Sequence, residues 1–392
     1  MKIGRQAIAG LAAMLLIVGC KNFWNVPNTN GCTADCTSTI SSGAFYVLNS
    51  NAGQVEIAGY SIVNSQQTSL SGSPYTLPSG PYAIAIAPNK SFLYVSTQSG
   101  IYLYTIASTG GLTLASTSPI STDFSATSMQ VDATDSWLVE ASGIGYLYAI
   151  PISPTTGKTT GSVQQTSLAG IAPRQLTISP DNKNVIVALG GDGTEVIPFT
   201  ASNKNPLPAT AGVPIAVKGQ GGAALSVAVD PSSQLLYIGE TLGSTASGNT
   251  GVLRAFTYSS LSGTPAEVTG SPYSSGGLTP VSILPTTSGD FVYVANATVN
   301  SSSTGNIAGF SVTVTGTVYS LTPLASTATG GITPTGLAED SSGSVLLLVN
   351  SGGSPDLDVY TFDTTTPGKL DSAFSFPTGT DPAGPLAIAA AP

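Results

Sequence analysis

Short apolar runs recur along the chain from Ala44 onward, and each is followed by residues typical of turns. Runs of this kind, bounded by Gly, Pro, Asn or Ser, are typical of buried β-strands. After the first twenty residues, no long segment carries apolar residues at the spacing of an amphipathic helix. The pattern therefore predicts an all-β protein. Seven of the runs begin at Phe45, Phe92, Trp137, Val185, Leu235, Phe291 and Val345.

A second short strand precedes each of the last six runs and ends in a tight turn. In "QLTISPDNK" from Gln175 and "SVAVDPSSQ" from Ser226, Pro-Asp and Asp-Pro steps supply this turn. Each pair of strands is predicted to form a β-hairpin. A third alternating run follows, as in "GVLRAFTYS" from Gly251, and then a more variable fourth strand, often near "GSPY" at 72–75 and 270–273.

Four strands that recur about every 45 to 55 residues are typical of propeller blades. The first copy lacks its leading strand, but "PLAIAAAP" at 385–392 closely copies "PYAIAIAP" at 81–88. We therefore predict a seven-bladed β-propeller over 44–392, with four-stranded antiparallel blades and with the C-terminal strand as the innermost strand of blade one. Closure of this kind removes an exposed sheet edge. A β-sandwich or a β-helix, the alternatives, would leave the displaced strand unexplained.

The repeats also resemble those of a known family. The "ISPD" turn at 178–181, the "AVDP" turn at 228–231, strands such as "VYVAN" at 292–296 and the "GSPY" segments look like the seven-bladed lactonase-type propellers. That family includes bacterial 6-phosphogluconolactonase, related cycloisomerases and the YVTN-repeat proteins. The resemblance covers nearly all of 44–392 and implies a lactone hydrolase on a propeller fold.

The chain lacks the residue type that carries the reaction in this family. In the related cycloisomerases a histidine, with nearby arginine and glutamate residues, carries the reaction at the channel mouth, and this chain contains no histidine. Serine hydrolase chemistry with a Ser-His pair is excluded for the same reason, and no G-x-S-x-G elbow is present. A carboxylate with a shifted pKa is the remaining candidate for acid–base catalysis. We therefore assign no catalytic residue and lean against an enzyme.

The N-terminus has the pattern of a secretory signal peptide, predicted over 1–19. Lys2 and Arg5 precede a short apolar run, 7–18, and Gly19 follows it. The run is shorter than a membrane-spanning helix needs to be.

The same run ends in "LLIVGC" at 15–20, which looks like a bacterial lipobox. This resemblance implies cleavage before Cys20 and lipidation of Cys20, which would anchor the protein at a membrane. Plain secretion, with Cys20 as a free thiol, is the alternative. By the same resemblance, Lys21 in place of an aspartate favours the outer membrane, on either its periplasmic or its surface side.

Residues 20–43 are rich in Asn, Thr, Ser, Pro and Gly and are predicted to form a flexible tether. Cys32 and Cys36 lie within it, and after lipidation of Cys20 they would be the only two thiols in an oxidising compartment. A disulfide between them is therefore predicted, with free thiols as the alternative. A metal site is disfavoured, because two thiols without histidine fall short of a tetrahedral ligand set.

Charge limits the possible partners. The net charge is −9, only 8% of the residues are charged, and the eleven basic residues are scattered. Nucleic-acid binding needs clustered Lys and Arg, so it is disfavoured. No motif for a cofactor or a metal is found, and we expect neither.

Four polar residues are the candidates for ligand binding. In propellers, the loops that enter the innermost strand and the loops that follow the second strand face the same end of the channel. Arg174 precedes "QLTISPD", while Asp192, Glu240 and Asn296 follow second strands. Together they are predicted to bind an anionic or polyhydroxylated ligand, with Arg174 contacting a carboxylate or phosphate. The alternative for Arg174 is an ion pair with a neighbouring carboxylate that holds blades together.

Two functions from different classes follow. The first is a lipid-anchored, monomeric propeller in the cell envelope that acts as a binding or scaffolding module through its loops, with an envelope protein or a small anionic or carbohydrate ligand as partner. The second is a lactone hydrolase acting on a sugar lactone or a related anionic substrate.

Overall fold

A computed structural model describes residues 42–51, 54–122, 126–210, 212–245, 248–258, 266–299, 304–378 and 385–391. These residues belong to one compact unit, Ile40–Pro392. They form strands and turns, and among them no helix is long and apolar enough to cross a membrane. The predicted signal peptide and tether, with Cys20, Cys32 and Cys36, lie outside the described residues and stay predictions.

The strands of the described residues are short, most of them between two and eight residues long. In chain order they are β1 Phe45–Asn51, β2 Gln54–Val63, β3 Gln66–Ser69, β4 Tyr75–Thr76, β5 Pro81–Ile86, β6 Phe92–Thr97, β7 Gly100–Ile106, β8 Leu112–Leu114, β9 Ala126–Val131, β10 Trp137–Ser142, β11 Tyr146–Pro151, β12 Gln164–Ser167, β13 Gln175–Ile178, β14 Asn184–Ala188, β15 Thr194–Pro198, β16 Ala223–Val229, β17 Leu235–Thr245, β18 Gly248–Thr257, β19 Ala266–Glu267, β20 Tyr273–Ser274, β21 Pro280–Pro285, β22 Phe291–Asn296, β23 Thr304–Thr315, β24 Val318–Pro323, β25 Thr327–Glu339, β26 Val345–Gly352, β27 Leu357–Phe362, β28 Leu370–Phe376 and β29 Pro385–Ala390.

Consecutive strands pair antiparallel and fall into groups, which we number in chain order. Group one is β29-β1-β2-β3 with β4 beside β2, group two is β5 to β8, group three is β9 to β12, and group four is β13 to β15. Group five is β16 to β20, group six is β21 to β24, and group seven is β25 to β28. Group four has three strands, because 199–210 and 212–214 form no strand where the other groups carry a fourth, and an isolated bridge joins Ile215 to Thr194.

The C-terminal strand closes the fold as predicted. β29 pairs antiparallel with β1, with Phe45 opposite Ala390 and Val47 opposite Ile388. The innermost strands also contact one another in sequence, from β29 to β5, β9, β13, β16, β21 and β25, and β25 returns to β29. The all-β propeller class is thereby confirmed. The number of separate blades stays a prediction, because β23 pairs with β25 and joins groups six and seven into one sheet.

The core lies between neighbouring groups, which explains why the second strands are apolar on both faces. Phe92 and Tyr94 of β6 pack in one hydrophobic cluster with group three, while Leu93 and Val95 pack in another with group one. Three buried tyrosine hydroxyls add a specific contact to the next group: those of Tyr46, Tyr94 and Tyr293 donate to the carbonyls of Gly110, Gly157 and Gly368 at 2.6, 2.8 and 2.7 Å.

Side chains of one innermost strand also bond the backbone of the next. An innermost strand has an unpaired edge, whose buried N–H groups need acceptors. Ser128 Oγ and Gln130 Oε1 accept from the backbone N–H groups of Leu176 and Ile178, at 3.0 and 2.8 Å. The Gln175 side chain does the same for the next group, accepting from Val227 at 3.0 Å. These bonds fix the positions at which the loops leave the ring.

Candidate functional site

The innermost strands begin at the same end of the molecule at which the second strands finish. The register places Pro81 opposite Thr97 and Pro280 opposite Asn296, and the Arg174 N–H donates to Ala188 O at 2.8 Å. We call this end the loop face: it comprises the described residues that enter β5, β9, β13, β16, β21, β25 and β29, and the described residues of the turns that follow β6, β10, β14, β17, β22 and β26. All four ligand-binding candidates lie here, but in two different environments.

Glu240 is fully buried and belongs to an ion-pair network. Its Oε1 accepts from Arg254 Nη1 at 2.7 Å, and its Oε2 accepts from the backbone N–H of Lys218 at 3.0 Å. Arg254 also donates from Nε to Glu267 at 3.3 Å and from Nη1 to Ala216 O at 2.8 Å. Burial opposes the charge on Arg254, but the hydrogen bonds to Glu267 and Glu240 outweigh it and raise its pKa. The network holds the segment before β16 against β17 and β18.

Asn296 is also fully buried, and its amide bonds the chain that enters β21. Its Nδ2 donates to Ser275 O at 2.7 Å and to Asn306 Oδ1 at 2.9 Å, while its Oδ1 accepts from Ser275 Oγ at 2.7 Å. Asn306 in turn donates to Gly276 O at 3.1 Å. The side chain is therefore occupied by the connection between groups five and six.

β26, the second strand of group seven, shows the same arrangement as β17 and β22. Asn350, at the end of the apolar run of β26, donates to Pro355 O at 3.3 Å and to Asp358 Oδ2 at 2.9 Å. Asp358 Oδ2 also accepts from the Gly330 N–H at 2.9 Å. Polar side chains at this position of the repeat thus hold connections in place. The recurrence itself was a signal of a structural role, since a ligand site does not need to repeat.

Arg174 and Asp192 differ from this pair because both are exposed to solvent. Within the described residues, Arg174 forms no ion pair, so the predicted alternative of a blade-holding bridge is not seen there. Arg174 adjoins the turn that carries Asp192, since a β-carbon at Gly190 would lie 3.7 Å from Arg174 Nε. Asp192 lies in turn beside the segment before β13, since a β-carbon at Gly170 would lie 2.5 Å from its Oδ2. The pair presents one positive and one negative group to solvent.

Two exposed isoleucines that the sequence analysis missed adjoin this pair. Ile144, in the turn after β10, is 67% exposed, and Ile171, in the segment before β13, is 76% exposed. Their segments touch: the Leu168 N–H donates to Gly145 O at 2.9 Å, and a β-carbon at Gly145 would lie 3.3 Å from Ile171 Cγ2. Their signal in the sequence is an isoleucine between turn residues, outside any alternating strand. We call Ile144, Ile171, Arg174 and Asp192 the Arg174 patch.

The patch supplies contact chemistry and little acid–base chemistry. It offers aliphatic surface, a guanidinium that can hold a carboxylate, and one carboxylate that accepts hydrogen bonds. In the part of the chain that the structure describes, no group of three or more His, Cys, Asp or Glu side chains is arranged to hold a metal ion. Tyr82, at the start of β5, is 42% exposed and adds an aromatic ring to the same face.

Comparison with solved structures identifies the fold. The chain matches a "putative 6-phosphogluconolactonase" of Bacteroides fragilis with a TM-score of 0.64 and 16% identity, over 91% of this chain and 99% of the other. It matches the periplasmic gluconolactonase of Pseudomonas aeruginosa with a TM-score of 0.63 and 16% identity, over 88% and 99%. The fold is that of the lactonase-like propellers.

A further lactonase-like propeller, a "putative 6-phosphogluconolactonase" of Bacteroides uniformis, matches with a TM-score of 0.65 and 18% identity, over 89% of this chain and 99% of that one. No protein-family model matches the sequence, and no curated protein matches it. At this level of identity the likeness establishes the fold and leaves the activity to be argued from the residues.

Proposed function

We propose that the protein is a lipid-anchored binding module of the cell envelope, and that the Arg174 patch contacts a protein partner. The observation that carries the proposal is the pair of exposed isoleucines beside Arg174. Adjoining exposed apolar residues with a polar rim are typical of interaction surfaces. The partner that fits is a protein segment with apolar side chains and a carboxylate, which Arg174 would bind.

The proposed location is extracytoplasmic. It is supported by the signal-peptide pattern, by the lipobox-like segment ending at Cys20, and by the likeness to a gluconolactonase that is periplasmic. Cys20→Ser is expected to release the protein from the membrane fraction or to block its processing. Unchanged fractionation and mass would contradict the anchor.

The binding role is tested by capture from envelope extracts with three versions of the purified protein. Wild type is compared with Ile171→Asp and with Val318→Asp, because Val318 is 62% exposed at the tip of the β23–β24 hairpin, away from the loop face. We expect the same partner in the wild-type and Val318→Asp samples and at least a tenfold reduction with Ile171→Asp. Equal capture by all three proteins would contradict the proposed surface.

Lactone hydrolysis is the second candidate, favoured by the names of the structural neighbours. The absence of histidine from the whole chain opposes it, since acid–base catalysis would pass to carboxylates. We expect no hydrolysis of 6-phosphogluconolactone above background by the purified protein. An acceleration that is lost in Arg174→Ala would establish this candidate over the binding role.

A further inference from the structure

A glutamate occupies a core position of the repeat. The fourth residue of each apolar run is fully buried, and in six of the seven runs it is aliphatic. In group three it is Glu140. The seven residues are Leu48, Val95, Glu140, Ala188, Ile238, Val294 and Leu348.

Glu140 lies at the contact between groups two and three. It is on β10, directly opposite Met129 of β9 and Tyr148 of β11. Leu138 is two residues away on the same face of β10 and packs in one cluster with Phe92 and Leu103 of group two. The carboxyl group therefore points into the layer that joins the two groups.

Neither oxygen of this carboxyl has a hydrogen-bond partner within the described residues. An ionised carboxylate in such a place would lose its hydration with no compensating contact, which is far more costly than burial of the neutral acid. Burial accordingly raises the pKa of Glu140 to about 8. The geometry thus favours a protonated side chain at neutral pH.

The groups around Glu140 do not supply a compensating charge. β9 faces it with Met129, which does not ionise, and β11 faces it with Tyr148, whose pKa is raised by burial and then by Glu140 itself. From group two, Tyr94 of β6 belongs to the same layer, and burial and then Asp135 raise its pKa. Both tyrosines stay neutral through the range in which Glu140 ionises.

We propose that Glu140 makes the contact between groups two and three proton-dependent, packed when the carboxyl is protonated and loosened when it ionises. In the unfolded chain the carboxyl ionises near its ordinary value of 4.5. Above that pH only the unfolded state releases the proton, so stability falls until the folded group also ionises near pH 8. The device is independent of the function proposed for the Arg174 patch.

The test is the thermal unfolding of wild type, Glu140→Gln and Glu140→Leu between pH 5 and pH 9.5. Gln keeps the shape of the neutral acid, and Leu restores the residue found at Leu48 and Leu348. We expect the difference in Tm between Glu140→Leu and wild type to grow by several degrees up to about pH 8 and then level off. Glu140→Gln should parallel Glu140→Leu. Glu56→Gln, on β2, is the control and should follow wild type.

A difference in Tm that does not change with pH would overturn the proposal. Carbon-13 NMR of glutamate-labelled wild type provides a second measurement that needs no variant to fold. A carboxyl that titrates near pH 8 and is assigned to Glu140 through its backbone resonances supports the proposal, and titration of the Glu140 carboxyl below pH 6 overturns it.

Discussion

The loop face contains two kinds of polar residue: buried ones that hold the connections between groups in place, and exposed ones that are free to contact a partner. In groups five and six, Glu240 and Asn296 are fully buried and use their polar atoms on Arg254, Lys218, Ser275 and Asn306. In groups three and four, Arg174 and Asp192 are exposed beside two exposed isoleucines. Residues on the same face of the propeller therefore take different roles: Glu240 and Asn296 are covered by neighbouring connections, and Arg174 and Asp192 remain exposed.

The largest loss of unfolding free energy is expected when the buried ion pair between Glu240 and Arg254 is broken. Glu240→Ala would leave Arg254 buried beside a single, partly exposed carboxylate, and removing one partner of a buried pair costs about 3–5 kcal/mol of unfolding free energy. Urea unfolding measures this loss. The double variant Glu240→Ala/Arg254→Met should recover part of it. A loss below about 1 kcal/mol would show that the network contributes little.

A smaller loss of unfolding free energy is expected when Asn296 is replaced. Asn296→Ala removes the partners of Ser275 and Asn306 and should cost about 1–3 kcal/mol, because buried polar groups are left unsatisfied. Chemical denaturation gives the value. Amide exchange of Ser275 and Leu278, whose N–H groups donate to Gly251 O and Thr298 O, should rise at the same time, and unchanged exchange there would contradict the proposed connection.

The smallest effect on stability is expected at the patch. Arg174→Ala and Asp192→Ala should change the unfolding free energy by no more than about 0.5 kcal/mol, since both side chains are exposed. The same unfolding measurement applies. A loss as large as that of Asn296→Ala would assign Arg174 to the scaffold and would remove the distinction between the two environments.

The repeated elements were predictable because their causes are local. Alternation and turn residues marked the hairpins, and the likeness of 385–392 to 81–88 located the strand that closes group one. The placement of Arg174, Asp192, Glu240 and Asn296 on one face followed from topology alone. The pattern also indicated the apolar packing of Phe291 to Val294, which the hydrophobic clusters confirm.

The environments of the site residues were not predictable, because they depend on irregular connections. Whether Glu240 is covered depends on the path of Ala216 to Lys218, and whether Asn296 is covered depends on Ser275 to Gly277. These segments show no alternation of apolar and polar residues from which their path could be predicted. Glu140 was different: the charge in "WLVEAS" was visible at a position where the other runs are aliphatic, and aligning the runs with one another would have revealed it.

The proposed function requires that the protein contacts its partner at the Arg174 patch and not at the opposite end of the propeller. Site-specific photo-crosslinking in intact cells distinguishes the two ends, with the photoreactive residue placed at Ile171 or, as control, at Val318. We predict a discrete adduct of higher mass from position 171 and none from position 318. An adduct from position 318 alone, or from neither position, would contradict the claim.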